Sequence, residues 1–412
     1  MTGGRQHDRR LVLWLSLAQL ITWGSVFYTF ALVMEPVERE LGLGRVQSSL
    51  AFSMALLAEG LAAYPVGRLI DSGHERLVMA GGSVLVGTCL VLHGFITSLA
   101  GFYAVWTILG VGMAATLYAP VFAVVTRRFP DDFRRAIITM TFLGGLASTV
   151  FIPLTAWLIA VFGWRHAFWW LAAMQFFVCL PIHALLLRDA PRVRGIAGSS
   201  SPAERFQLRQ LLLGAPFLLI AVFVVLMMAV TAALPAHMVS LLRENGMGES
   251  WAIAVPASIG VIQVFGRALL FFFEHNFNVH QANRLIPCLI PLGLLALLAA
   301  PWLGNGNNAP GLALVLLFVL LYGMGNGMQT IVKGTAIAQY VHRDHVASLN
   351  GALGIPLALA RAAAPLALGL LWSPSVGYRY GLWLLLGLSG VAIVALLWAQ
   401  KRALSGSGVP LA

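Results

Sequence analysis

Charged residues are scarce in this sequence of 412 residues. Only 10% of the residues are Asp, Glu, Lys or Arg, whereas 59% are hydrophobic and the mean hydropathy is +0.85. Because soluble domains carry about a quarter charged residues, a water-exposed surface cannot be built from this composition. We therefore expect the lipid bilayer to be the main solvent of the chain, with no separate soluble domain.

Cysteines and catalytic motifs are equally scarce. Cys89, Cys179 and Cys288 each lie inside an apolar run, so their positions suit neither a metal site nor a disulfide. The sequence also lacks a Gly-x-x-x-x-Gly-Lys-Ser/Thr phosphate loop, a His-Glu-x-x-His run and a Gly-x-Ser-x-Gly turn. We expect no ATP-driven motor, no metal, no cofactor and no enzymatic activity.

Long apolar segments dominate what is present. A helix needs about 20 apolar residues to cross the hydrocarbon core of a membrane, and twelve segments meet this requirement. They lie at 11–34, 46–67, 77–97, 101–125, 136–162, 166–187, 211–241, 250–271, 284–303, 309–333, 347–372 and 378–399. The pattern predicts an all-α membrane protein with a six-helix bundle in residues 1–187, a polar linker in 188–210 and a second six-helix bundle in 211–412.

The basic residues indicate the orientation of these helices. Lys and Arg are retained in short cytoplasmic loops. With the N-terminus in the cytoplasm, 20 of the 26 basic residues fall on that side. The sequence therefore predicts a monomer in the bacterial inner membrane with both termini cytoplasmic. The net charge of +11 is interpreted as this orientation signal, and nucleic-acid binding is not expected.

Short motifs recur in the two sets of six segments. Gly67-Arg68 ends the second segment and Gly266-Arg267 ends the eighth, while Gly110-Val111-Gly112 in the fourth resembles Gly323-Met324-Gly325 in the tenth. Two parallel six-helix repeats with a substrate site between them are one architecture of secondary transporters. The repeats predict two pseudo-symmetric bundles that work by alternating access.

The loop Gly67-Arg-Leu-Ile-Asp-Ser-Gly-His-Glu-Arg76 is similar to the loop motif of the major facilitator superfamily. The resemblance extends over the whole chain and implies the twelve-helix fold of that family. It also implies that Asp71, Arg68 and Arg76 form a charged latch between cytoplasmic helix ends, with Gly67 and Gly73 shaping the loop. The alternative is an ordinary solvated, basic loop.

Three further segments resemble the monocarboxylate and oxalate/formate branch of that superfamily. These are Trp23-Gly-Ser-Val-Phe-Tyr28, the segment from Gly323 to Gly334, and the Gln263-x-x-x-Arg267 pair. Gln263 stands where the branch has an acidic residue. The resemblance implies that the substrate is a small organic anion, moved with protons or against a counter-solute, and that Arg267 and Gln263 contribute to its site.

Two charges lie clearly inside predicted spans. A charge at mid-bilayer costs about 2.5 to 3.5 kcal/mol or more, so it usually faces a cavity or a partner. Arg361 lies near the middle of the eleventh span, and Glu59 is the only carboxylate inside any predicted span. Arg361 has three interpretations: it binds an anionic substrate, as the resemblance implies for a basic residue in this span, it pairs with Glu59, or it bonds backbone carbonyls.

Other polar residues in the spans are weaker candidates. Glu59 would carry a coupled proton, and His237 is a second proton candidate that is also explained as a hydrogen-bonded residue at a helix end. Lys333 and Arg267 lie near span ends, where long side chains reach the interface. Four more side chains would line the pathway: Trp23, Tyr28, Asn326 and Gln329.

These observations predict a secondary transporter of small organic anions, with Arg361 as the main anion ligand. The alternative is proton-coupled efflux of amphiphilic drugs or other metabolites, in which Glu59 contacts the substrate and Arg361 is its counter-ion. A third interpretation, a nutrient sensor built on a transporter scaffold, is disfavoured because the sequence has no sizeable cytoplasmic signalling domain.

Overall fold

A computed structural model describes residues 2–128, 133–188, 202–273, 279–304, 309–342 and 346–407. Within these ranges the chain is helical and contains no β-strand, only an isolated bridge between Ser373 and Gly377. Eleven helical segments in the described ranges are long and apolar enough to cross a membrane. The chain divides into two compact units, which are described separately.

Unit 1 comprises Met1–Gly195, Pro235–Ser240 and Glu249–Val261. Short π-helical segments at Trp23–Tyr28, Ile70–His74 and Gln175–Cys179 interrupt its helices. The helices from the N-terminus to residue 186 are α1 (Thr2–Thr22), α2 (Phe30–Leu41), α3 (Arg45–Leu69), α4 (Glu75–His93), α5 (Leu99–Thr116), α6 (Tyr118–Arg128), α7 (Phe133–Gly145), α8 (Ala147–Met174) and α9 (Leu180–Leu186).

One candidate span, Ala136–Leu186, contains 51 residues. At 1.5 Å per residue it would be about 76 Å long, more than twice the hydrocarbon thickness of about 30 Å. The path breaks at Gly163, whose φ of 78° and ψ of 161° are not helical. Glycine suits this position because it has no Cβ to oppose a positive φ. The segment therefore contains two crossings, which brings the eleven candidates to the twelve predicted spans.

The core of unit 1 contains a close helix crossing and a cluster of aromatic rings. A Cβ added to Gly110 on α5 would lie 2.1 Å from the carbonyl oxygen of Ala55 on α3. Beside this crossing, Phe30 stacks on Phe52 with ring centroids 4.5 Å apart, and Trp106 meets Phe30 edge to face at 5.1 Å. Small residues let helix backbones approach in this way, so Gly110 has a packing role.

Unit 2 comprises Ile196–Leu234, Leu241–Gly248 and Ile262–Ala412. Two long helices, α11 and α12, contribute residues to both units. The helices of the second part of the chain are α10 (Pro202–Leu213), α11 (Ala215–Glu244), α12 (Glu249–Phe273), α13 (Val279–Ala299), α14 (Ala309–Tyr340), α15 (Val346–Ala352), α16 (Gly354–Leu371) and α17 (Arg379–Ser407). Of the predicted linker 188–210, residues 189–201 lie outside the described part of the chain, and α10 begins within the remainder.

Two glycines of α14 allow close helix contacts in unit 2. A Cβ added to Gly327 would lie 2.3 Å from the backbone oxygen of Gln263 on α12, and one added to Gly325 would lie 3.0 Å from Ile290 on α13. A Cβ added to Gly266 on α12 would lie 3.1 Å from the backbone oxygen of Met324 on α14. The α12–α14 crossing therefore holds the Gln263–Arg267 turn against the middle of α14.

Candidate substrate site

Arg267 has a defined anchor in unit 2. Its Nε donates a hydrogen bond to the carbonyl oxygen of Gly327 on α14, 3.2 Å away, and its side chain is half-buried. The bond depends on the close approach of α12 and α14 at Gly327, where any side chain would collide with Gln263. This geometry differs from that of a basic side chain reaching along its own helix to the membrane surface.

Lys333 on α14 lies close enough to Arg267 and Arg361 for both guanidinium charges to act on its ammonium group. Three helices, α12, α14 and α16, thus bring three cationic side chains together within unit 2. All three are half-buried. From the sequence Lys333 is only a weak candidate, because spacing along one helix does not reveal which side chains of other helices it meets.

Amide side chains accompany Arg267 on α12 and Lys333 on α14. Gln263 precedes Arg267 by one helical turn on α12, and Asn326 and Gln329 precede Lys333 on one face of α14. Gln263 is 8% exposed and Gln329 is fully buried. Within the described residues, neither amide atom of Gln329 has a hydrogen-bond partner. A buried amide in this state is suited to bind a ligand or a water molecule.

The two aromatic candidates lie in unit 1, within the π-helical segment Trp23–Tyr28. Such segments are frequent at functional sites. The Trp23 ring contacts Tyr118 at 5.0 Å, and its Nε1 has no hydrogen-bond partner among the described residues. Tyr28 packs against an apolar cluster that includes Ile152 and Val239. The contacts of Trp23 and Tyr28 are thus with other residues of unit 1. The three cations lie within unit 2.

A polar cluster in unit 1 is absent from the candidates drawn from the sequence. Gln175 donates from Nε2 to Ser25 Oγ at 2.9 Å, and Gln19 donates from Nε2 to the carbonyl oxygen of Thr116 at 2.6 Å. Both glutamines are fully buried, and neither Oε1 atom has a partner in the described part of the chain. The helical spacing of Gln19, Thr22 and Ser25 in an apolar span was the sequence pattern that could have indicated this cluster.

The two proton candidates also belong to unit 1. Glu59 on α3 is half-buried and His237 on α11 is fully buried, and each has interaction partners. One expectation needs correction, because α2 continues to Leu41 and the first candidate span runs to the same residue. Glu59 is therefore not the only carboxylate inside a span. Glu35, on α2, accepts a hydrogen bond from Ser240 Oγ at 2.6 Å.

The predicted latch loop forms the π-helical turn Ile70–His74 between α3 and α4. Gly67 lies in the last turn of α3, and Gly73 adopts a φ of 89°, which favours glycine. Arg68 and Arg76 are exposed, and Arg76 Nε donates to the Ala184 carbonyl at 2.7 Å. The side chain of Asp71 lies outside the described part of the structure.

A buried ion pair adjoins that loop and was missed by the sequence analysis. The fully buried Glu75 accepts a hydrogen bond from Arg128 Nε at 2.6 Å, and Arg127 lies 4.0 Å from its other carboxylate oxygen. Arg127 also donates to the carbonyl oxygen of Ile70. Glu75 and two arginines of α6 therefore tie the loop to the end of the fourth span.

Comparison with known protein families identifies this helical architecture. A model of the Major Facilitator Superfamily matches residues 15–365, which is most of the chain. The chain belongs to the Major Facilitator Superfamily. It is therefore a multi-pass membrane transporter and not an enzyme, and the predicted twelve-helix fold class is confirmed. No curated protein matches the chain.

Solved structures of several transporters share the superfamily fold. The nucleoside transporter NupG superposes with a TM-score of 0.74 at 15% identity over 96% of this chain and 99% of its own. A D-xylose-proton symporter gives 0.75 at 14% over 96% and 97%. A bacterial homolog of the human lysosomal transporter Spinster gives 0.72 at 16% over 97% and 98%. At these identities the likeness establishes the fold alone.

Proposed function

We propose that this member of the Major Facilitator Superfamily is a secondary transporter of small organic anions, similar to the monocarboxylate and oxalate/formate branch. It works by alternating access, with proton symport or exchange. The observation that carries the proposal is the meeting of Arg267, Lys333 and Arg361 within unit 2. Three cations on three different helices form a site whose complementary ligand is an anion.

Electrostatics supports this choice of ligand. Like charges repel more strongly in a low-dielectric interior than in water, and charges there persist when they are paired. A carboxylate placed among the three side chains offsets their mutual repulsion. Each guanidinium presents parallel N–H donors that match the two oxygens of a carboxylate, and it keeps its charge at any working pH.

The neighbouring amides supply the uncharged part of the site. Gln329 has a buried amide without a partner among the described residues, and a ligand hydroxyl or carboxylate would satisfy it. Asn326 and Gln263 lie on the same helix faces as Lys333 and Arg267, respectively. Trp23 and Tyr28 of unit 1 contribute aromatic surface to the substrate pathway and contact the apolar part of the substrate.

The distribution of basic residues along the sequence supports the proposed orientation in the membrane. The protein acts as a monomer in the bacterial inner membrane with both termini cytoplasmic, and 188–210 links the bundles 1–187 and 211–412. Glu59 and His237 contribute to gating or proton coupling. The loop residues Gly67, Arg68, Asp71, Gly73 and Arg76 belong to the cytoplasmic latch of this scheme.

Uptake by purified protein in proteoliposomes tests the proposal. We expect saturable uptake of [14C]lactate or [14C]succinate. Arg361→Gln should lower the uptake at least about tenfold, because a hydrogen bond to a charged group contributes about 1.5–3 kcal/mol. The matched control is Arg402→Gln, at an exposed arginine of the same unit, which should retain uptake. If Arg361→Gln transports normally while folded, the anion site is wrong.

The same assay distinguishes the alternative of cation efflux. Without a proton gradient, Glu59→Gln should leave anion exchange by the folded protein largely intact if the anion site lies in unit 2. Export of an amphiphilic cation such as ethidium that depends on Glu59, together with no uptake of either anion, would replace the anion proposal.

A further inference from the structure

A pocket of about 650 Å³ lies at one end of unit 2. Its described lining comes from the ends of α11 and α13, the short turn Ala300–Leu303, the connection between α16 and α17, and the first turn of α17. None of these lining residues belongs to the candidate substrate site. In the proposed orientation, this end of unit 2 faces the outside of the cell. The volume lies within the range of small-molecule sites, about 300–1,000 Å³, so the pocket can hold a small ligand.

The pocket presents one charge of each sign. Among the described residues that line it, only Glu244 and Arg379 are charged, and both are exposed. The carboxylate of Glu244 is held in place, because its Oε1 accepts a hydrogen bond from Trp372 Nε1 at 2.6 Å. Its Oε2 would lie 2.6 Å from a Cβ added to Gly377, so it packs against that glycine. In the part of unit 2 that the structure describes, Arg379 forms no salt bridge with Glu244.

Unit 1 contains residues that correspond to these two charges. Glu40 and Glu244 each follow an arginine and precede the residues x-Gly-x-Gly. Arg379 ends the stretch Gly377-Tyr-Arg379, which resembles Gly163-Trp-Arg165 in unit 1. The first glycine of each stretch has a positive φ, 59° in unit 2 and 78° in unit 1. The two stretches therefore share a local backbone feature as well as a sequence pattern.

The corresponding charges of unit 1 pair directly. Arg165 Nη2 lies 2.6 Å from Glu40 Oε1, and the same guanidinium lies over the Trp164 ring, 4.4 Å from its centroid. In unit 2, Glu244 and Arg379 both line the pocket without such a pair between them. A ligand that carries a cation and an anion would complete there the two interactions that Glu40 and Arg165 supply to each other in unit 1.

We propose that this pocket binds a phosphoethanolamine group, with the ammonium at Glu244 and the phosphate at Arg379. A guanidinium presents parallel N–H donors that match two phosphate oxygens. A primary ammonium has three donors. One reaches the Glu244 carboxylate, and Asn245 offers a second acceptor, because its Nδ2 donates to the Leu241 carbonyl at 2.8 Å and its Oδ1 remains. This site goes beyond the proposed anion transport and does not depend on it.

Apolar and aromatic side chains form the rest of the pocket wall. Leu297 and Leu298 come from α13, and Trp302, in the turn after that helix, is 78% exposed. Tryptophans are enriched at the level of the lipid headgroups, and the leucines offer apolar surface to carbon atoms attached to the phosphate. The same chemistry therefore suits two sources, free phosphoethanolamine and the headgroup of phosphatidylethanolamine.

Binding of O-phosphoethanolamine to the purified protein in detergent tests the inference. A ligand that binds only the folded state raises the thermal midpoint, so we expect a saturable rise of several degrees at constant ionic strength. Ethanolamine and ethyl phosphate, which carry one charge each, should bind at least about tenfold more weakly. The assay measures binding and not uptake, so its result is independent of anion transport.

Two variants remove the charges one at a time. Glu244→Gln keeps an acceptor for Trp372, and Arg379→Gln changes an exposed side chain. Each should weaken binding at least about tenfold, because each removes hydrogen bonds to a charged group. If Glu244→Gln does not fold, Arg379→Gln still decides the question. The matched control is Arg402→Gln, at an exposed arginine near the other end of α17, which should bind like the natural protein.

The source of the group is read from a short-chain lipid in the same assay. Dihexanoyl phosphatidylethanolamine that binds at least about tenfold more tightly than O-phosphoethanolamine identifies a lipid headgroup, and equal affinity identifies the free compound. Dihexanoyl phosphatidylcholine should bind more weakly, because its quaternary ammonium has no N–H donor. The inference is overturned if neither phosphoethanolamine compound shifts the midpoint, or if both shift it equally in the natural protein and in Arg379→Gln.

Discussion

The indole Nε1 of Trp164 donates a hydrogen bond to Oε2 of Glu40, 2.6 Å away, where two helix ends of unit 1 meet. Unit 2 contains the same arrangement between Trp372 Nε1 and Glu244 Oε1, also at 2.6 Å. Each glutamate is the second residue of an equivalent stretch, Arg-Glu-x-Gly-x-Gly, at 39–44 and at 243–248. The two units therefore share a contact as well as a motif, which supports a duplicated six-helix unit.

The indole–carboxylate bond predicts a measurable loss of stability. Trp164→Phe keeps an aromatic ring but removes the donor, and a hydrogen bond to a charged group contributes about 1.5–3 kcal/mol. We expect the thermal midpoint of the purified protein in detergent to fall by several degrees. Trp372→Phe should produce a similar decrease in unit 2.

The matched control for this change is Trp157→Phe, at an exposed tryptophan of α8. Its midpoint should stay close to that of the natural protein. Equal decreases for Trp157→Phe and Trp164→Phe would show that loss of ring area, rather than the bond to Glu40, determines the effect.

The α12–α14 crossing predicts that Gly327→Ala is harmful. The added methyl would lie 2.3 Å from the Gln263 carbonyl oxygen, so the two helices must separate, and overpacking of this kind costs about 1–3 kcal/mol. The shift also displaces the carbonyl that anchors Arg267. We expect lower thermal stability together with reduced anion uptake.

Gly390→Ala on α17 provides the comparison, because no atom lies within 4 Å of the added Cβ and the position is exposed. Uptake and stability should be unchanged in this variant. Normal uptake by Gly327→Ala would contradict the anchoring role assigned to this crossing.

The buried carboxylate of Glu75 predicts a strong dependence on its arginine partners. Glu75→Gln leaves the Arg128 and Arg127 charges without the carboxylate, and breaking a buried pair costs about 3–5 kcal/mol. We expect a large loss of folded protein, measured by size-exclusion chromatography of the detergent-solubilised membrane fraction.

A double-mutant cycle with Arg128→Gln separates the ion pair from other effects of the substitution. The double variant should be less destabilised than the sum of the two single variants. Strict additivity would mean that the contact between Glu75 and Arg128 contributes nothing to folding.

Much of the fold was predictable, because apolar length and basic loops are local properties of the sequence. The break at Gly163 agrees with the predicted boundary between the fifth and sixth spans, and the structure shows the positive φ behind it. The end of the first span was less predictable. Glu35, Glu38 and Glu40 made it appear to stop early. Glu35 and Glu40, however, accept hydrogen bonds from Ser240 and Trp164, which lie far along the chain, and Glu38 accepts one from Arg45, in the first turn of α3.

The candidate site was predictable only in part. Arg361 stood out because a charge in an apolar run is costly wherever it points. Lys333 did not, because its position near a span end offers an equally good explanation at the membrane surface. The Gln19–Gln175 cluster and the Glu75–Arg128 pair were missed for a related reason. Each joins residues more than 50 positions apart, and helical periodicity carries no information about such neighbours.

The sequence by itself determined that this protein lives in a membrane and crosses it twelve times, because transfer of apolar side chains from water depends on composition and length rather than on neighbours. Only the tertiary structure decided that the charges of Arg267 and Arg361 act on Lys333, and that Glu75 rather than a more obvious loop residue is buried with two arginines. Electrostatic interactions depend on the distance between side chains, and helix packing sets that distance.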